Sequence, residues 1–88
     1  MSVFMVERSL GGISMDDLGG AQKAAITKGE EMTAAGTPVR YIRTTFAPED
    51  GRCMCLFEAN SSDDVCRLND DAGLPYDRVV PAMDLTPQ

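Results

Sequence analysis

VRYIRTTFAPEDGRCMCLFEA, residues 39–59, holds two runs rich in β-branched and aromatic residues, split by a segment of Pro, Asp and Gly. In the first run Val39, Tyr41, Arg43 and Thr45 alternate with Arg40, Ile42, Thr44 and Phe46, the period of two that belongs to a strand. Glu49-Asp50-Gly51-Arg52 carries Asp-Gly turn chemistry, so RCMCLFEA is expected to return antiparallel as the second arm of a hairpin.

Upstream, VFMVERS also reads as a strand, with Phe4 and Val6 on one face and Val3, Met5 and Glu7 on the other. Ser14 is an N-cap candidate, and Asp16 and Asp17 follow where a helix dipole favours negative charge. A helix then presents Met15, Leu18, Ala21, Ala25, Ile26 and Met32 as one apolar arc. Gly36 ends it, and Gly29 lies inside the arc, where a missing side chain permits close approach to a sheet or a second subunit.

Downstream, Ser61 or Ser62 opens a second helix with Asp63 and Asp64 in its first turn and Val65, Leu68 and Ala72 on one face. Gly73 and Pro75 end it. The last run, DRVVPAMDL, is a strand interrupted by Pro81, which suits a sheet edge. The order βαββαβ predicts an α+β, ferredoxin-like fold: a four-stranded antiparallel sheet with two helices on one face. The other face is left bare, so two copies are expected to pair as a homodimer.

The 88 residues are expected to form a single domain spanning residues 1–88. A net charge of −6 argues against sequence-independent nucleic-acid binding and against anionic membranes. No apolar run approaches the roughly 18 residues of a spanning helix. The opening MSVFMVERSL has neither a basic n-region nor a cleavage site, and three cysteines suggest reduced thiols, so a cytoplasmic location is expected.

The chain has no histidine. Ser-His-Asp triads, Cys-His dyads and imidazole-ligated metals are therefore excluded. Cys53 and Cys55 share a strand face, about 6.6–6.8 Å apart at Cα, where a flat strand would not readily bring sulfurs to the ~3.7 Å that zinc needs. Both, and Cys66, read best as packing residues; a copper(I) site with Met5 or Met54 is the soft-metal alternative. Glu7 beside Arg8, and Tyr41 with Arg43 on one strand face, are the polar pairs able to bind or assist a ligand. Asn69, Asp70 and Asp71 crowd the negative end of the second helix, where a cation or an arginine such as Arg40 or Arg78 would offset them.

FMVERS, GISMDDL, PVRYIRTTF, CMCLFEAN and DDAGLPYDRVV together resemble the small bacterial nickel-binding-protein-like family, a domain of unknown function, over nearly the whole chain. The resemblance implies a ferredoxin-like fold that dimerises. The nickel-binding branch holds its metal with histidines near the end of the first strand and around the end of the second helix. Here Glu7, Arg8, Asn69, Asp70 and Leu74 stand at those places, so the resemblance implies at most an oxygen-ligand site of Glu7, Asn69 and Asp70 for nickel or another divalent cation. Cys55 matches a position that is often cysteine in the family.

Two functions follow as expectations. One is a non-enzymatic dimeric module that binds a metal ion or small ligand near Glu7 and the end of the second helix. The other is a small dimeric α+β-barrel enzyme acting on an apolar molecule, with Tyr41, Arg43 or a carboxylate assisting. The first requires clustered, solvent-open oxygens; the second requires a largely apolar cavity of some hundreds of Å³.

Overall fold

β1 (Ser2–Ser9), α1 (Met15–Ala34), β2 (Val39–Ala47), β3 (Arg52–Ala59), α2 (Ser62–Asp71) and β4 (Arg78–Ala82) follow one another in the computed structural model, which describes residues 1–87. The strands form one sheet in the order β2-β3-β1-β4, and each neighbouring pair is antiparallel. This is the expected ferredoxin-like α+β arrangement. Pro81 sits in β4, which pairs only with β1 and so needs no donor on its outer side.

One sheet face carries the core. Phe4, Val6, Val39, Cys53, Cys55, Phe57 and Ala59 pack there against Ala25 and Met32 of α1 and Val65 and Leu68 of α2. Both helices therefore cover the same side. The Tyr41 ring meets Phe57 edge-on, with centroids 5.6 Å apart, a contact worth about 0.5–1.5 kcal/mol beyond its area.

Both helices begin and end by the same local chemistry. Ser14 Oγ accepts from Asp17 N at 3.1 Å, and Ser61 Oγ accepts from Asp64 N at 3.3 Å, each satisfying an amide that the helix leaves unpaired. At the C-termini Thr37 N donates to Met32 O at 2.8 Å and Leu74 N donates to Asn69 O at 2.9 Å. These are Schellman closures, which place Gly36 (φ +101) and Gly73 (φ +70) in the left-handed region.

Two expectations about helix and strand faces fail. Met15 and Ile26 are 62% and 44% exposed: Met15 lies at the fraying helix start, and Ile26 lines an open groove beside β2. The rest of the expected arc holds: Ala25, Gly29 and Met32 are the buried stripe of α1, and Leu18 packs against the core. In β2 the simple alternation breaks at Ile42, because Tyr41 faces Phe57 while Arg43 faces Leu56, one residue too late. A β-bulge absorbs the extra residue and reverses the parity beyond it.

Candidate functional site

The bulge decides what lines the interior. With parity reversed after Ile42, Thr44 pairs with Cys55 and Phe46 with Cys53 on the helix side, while Arg43 turns to the open face. The expected shared face of Tyr41 and Arg43 does not exist. Arg43 Nη2 pairs with Asp84 Oδ2 at 2.9 Å, whereas the Tyr41 hydroxyl lies in the helix-side interior.

From Tyr41 a directed hydrogen-bond chain runs inward. Gln22 Nε2, which can only donate, gives a bond to Tyr41 Oη at 2.8 Å. Tyr41 is then free to donate to Thr44 Oγ1, 2.6 Å away. Thr44 in turn has its one proton for Cys55 Sγ at 3.1 Å. The same sulfur accepts from Arg8 Nε at 3.5 Å and lies 3.9 Å from Cys53 Sγ. Donors from three elements converge on one buried sulfur.

Arg8 follows Phe4 and Val6 on the helix-side face of β1 and is 6% exposed. Its other recorded bond runs from Nη1 to Pro75 O at 3.2 Å, and it enters none of the ion pairs among the described residues. A buried guanidinium without a carboxylate is costly, and the Cys55 sulfur is the soft acceptor it has found. Burial, and then the neighbouring Cys55, push the Cys53 thiol up to about 11, against the opposing pull of Arg8. Burial thus favours the protonated Cys53 thiol.

The two sulfurs stand closer than a flat strand suggests, because the side chains lean toward one another above the intervening Met54. Met54 pairs with Glu7, and Met5 with Leu56, on the open face, so neither methionine can join the thiols. Beside the thiols, Leu10, Leu18, Gln22, Tyr41 and Leu74 help close a cavity of about 10 Å³. That is room for a single water.

The oxygen candidates are divided. Glu7 lies on the open face, opposite Arg78 of β4, and its carboxylate pairs with that guanidinium. Asn69 is wholly buried on the helix side: Nδ2 donates to Val65 O at 2.8 Å, and Oδ1 has no partner. Asp70 is exposed and neighbours Tyr76. The structure does not bring Glu7 to Asn69 and Asp70, since the sheet lies between them. Arg40 and Arg78, thought of as partners for the end of α2, pair with Glu58 and Glu7 instead. Among the described residues no group of three or more His, Cys, Asp or Glu could hold a metal ion.

The functional residues that sequence reading missed are Arg8 as an interior cation, and Thr44 and Gln22 as members of the chain leading to Cys55. Arg8 was detectable from period two, which sets it on the face of Phe4 and Val6. Thr44 was not, because its orientation depends on the bulge.

Comparison with known proteins gives a consistent picture of the scaffold. The family model for nickel responsive protein SCO4226-like matches residues 4–81. The crystal structure of SCO4226 from Streptomyces coelicolor A3(2) is similar with a TM-score of 0.80 and 24% identity, covering 97% of this chain and 100% of that one. No curated protein matches the chain. Among the described residues no helix is long and apolar enough to cross a membrane.

Proposed function

This chain belongs to the SCO4226-like family of nickel responsive proteins, and we propose that it is a small, non-catalytic cytoplasmic module that binds a metal ion or small ligand and works as a homodimer. The observation that carries this reading is the size of the space beside the interior polar groups. Arg8, Thr44, Cys53 and Cys55 border about 10 Å³, far less than the ~300 Å³ at which ligand pockets begin; the larger space, about 540 Å³ along Ile26, Gly29, Val39 and Tyr41, is an apolar groove open to solvent that none of these four groups lines. Groups that bond to one another around so small a space suit holding an ion, and not turning over an organic substrate.

Nickel itself does not fit the donors present. The chain has no histidine, the oxygens of Glu7 and Asp70 are separated by the sheet, and a divalent ion at the thiols would face the Arg8 guanidinium. What carries over to this chain is therefore the scaffold, with a different donor set in this member.

The dimer reading rests on the open sheet face. Val3, Met5, Met54, Leu56, Val80 and Ala82 form a half-buried apolar centre, with ion pairs of Glu7 with Arg78, Arg40 with Glu58 and Arg43 with Asp84 around it. An apolar centre with a polar rim is the anatomy of a protein interface. Untagged protein examined by light scattering and thermal unfolding with a panel of metal ions tests both halves. The reading expects twice the 9.5 kDa chain mass, reduced to one chain mass by Leu56→Asp, and a raised melting temperature with at least one ion. A monomer, or a melting temperature insensitive to every ion and small anion tried, would overturn it.

A further inference from the structure

We propose that Cys53 and Cys55 together hold one monovalent thiophilic cation of the copper(I) or silver(I) type on the helix side of the sheet; this rests on the binding reading above and specifies its ligand. Their sulfurs lie 3.9 Å apart, between the ~3.7 Å of a tetrahedral pair and the ~4.6 Å of a linear pair on one ion with bonds of about 2.3 Å, so a side-chain movement of under about 1 Å admits a two-coordinate ion. A soft cation of this type takes thiolates readily. No third Cys, Asp, Glu or His joins the pair among the described residues, which disfavours ions that demand four protein ligands.

Charge selects among the soft ions. Binding breaks two S–H bonds, forms two metal–sulfur bonds and sends both protons to solvent. No electron moves. Two thiolates and a monovalent ion sum to −1, and the buried Arg8 guanidinium, whose Nε lies 3.5 Å from Cys55 Sγ, brings the interior to zero. A divalent ion would leave an excess positive charge there, which a closed interior penalises. Thr44 adds a hydroxyl donor 3.1 Å from the Cys55 sulfur, so a thiolate at Cys55 keeps two hydrogen bonds while it ligates. Outer partners of this kind orient a ligand, and losing one costs about 10–100-fold in affinity.

The reduced, metal-free full-length chain is titrated with silver(I), and anaerobically with copper(I) against a chromophoric chelator, with stoichiometry read by native mass spectrometry. The expected result is a single ion per chain in the parent and in Cys66→Ser, lost in Cys53→Ser and in Cys55→Ser. Arg8→Met is expected to weaken binding about tenfold or more. Because a buried serine can disturb folding, the parent is also alkylated with iodoacetamide in urea below the unfolding transition, where local opening exposes the two buried thiols, with and without silver(I). The ion should protect Cys53 and Cys55 and leave Cys66 reactive. Retained uptake in folded Cys53→Ser and Cys55→Ser variants, protection confined to Cys66, or absence of silver(I) and copper(I) binding overturns the site. If those ions fail while another ion raises the melting temperature, the thiol site falls and the broader binding reading stands. If no ion or small anion has any effect, both fall.

Discussion

Gly29 and Val39 approach so closely that a Cβ on Gly29 would stand 3.2 Å from the Val39 carbonyl oxygen, with Leu68 Cδ1 3.6 Å away. That carbonyl cannot easily retreat, because Thr33 Oγ1 donates to it at 3.0 Å and accepts from Val39 N at 3.1 Å. Gly19 and Gly20, in the same helix, have nothing within 4 Å of a built Cβ. Gly19→Ala and Gly20→Ala should each raise stability by about 0.5–1 kcal/mol through helix propensity. Gly29→Ala should gain nothing net, and Gly29→Leu should lose about 2 kcal/mol or more through overpacking. Urea unfolding at constant m-value measures all four, and a stabilised Gly29→Leu would refute the packing role.

The chain from Gln22 to Cys55 makes a second expectation. Thr44→Val removes the middle hydroxyl and leaves the Tyr41 proton and the Cys55 sulfur each short of a partner. A loss of about 1–2 kcal/mol follows. Tyr41→Phe should cost about 1 kcal/mol, and the double variant should cost less than the sum, by roughly 0.5 kcal/mol or more, because the two changes sever one connected path. Strict additivity in a denaturant double-mutant cycle would show the hydroxyls to be independent.

The order of elements was readable because each segment's local chemistry agrees with the whole: Ser14 and Ser61 cap, Gly36 and Gly73 close, and Pro81 falls on an edge. The expected site was less readable for a physical reason. VRYIRTTF contains no Gly or Pro to mark a bulge at Ile42, so strict alternation put Arg43 with Tyr41 and turned Thr44 outward. Strand parity did already separate Glu7 from the face of Phe4, and only the family resemblance set it beside the end of α2. Asn69 was read as a surface ligand because of its type and position, whereas it is the buried residue whose carbonyl receives the Schellman bond of α2.

Arg8→Met tests how the interior charge is compensated. An isolated buried guanidinium would be a burden, and its replacement by an apolar chain of similar length would stabilise the protein. With the Cys55 sulfur as its acceptor and Pro75 O as its second, removal should instead cost about 1.5–3 kcal/mol. The penalty should shrink when Cys55→Ala is already present. Chemical denaturation of the four members of the cycle decides the sign, and a stabilised Arg8→Met would remove the partnership.

Tyr76 supplies the pH prediction. The neighbouring Cys66 foremost, then burial and Asp70, push its phenol from 10.0 up to about 12. The fold thus favours the neutral form of an acid. Between pH 10 and 12 the unfolded chain has lost a proton that the folded chain keeps, so stability falls as pH rises across that window; below it the contribution is fully present. Tyrosinate absorbance, followed in Tyr41→Phe so that Tyr76 titrates alone, should show a midpoint well above 10, with far-UV dichroism confirming that the chain stays folded. Adding Cys66→Ala should bring the midpoint back toward 10. An ordinary midpoint in folded Tyr41→Phe would show that Cys66 and Asp70 do not hold the phenol.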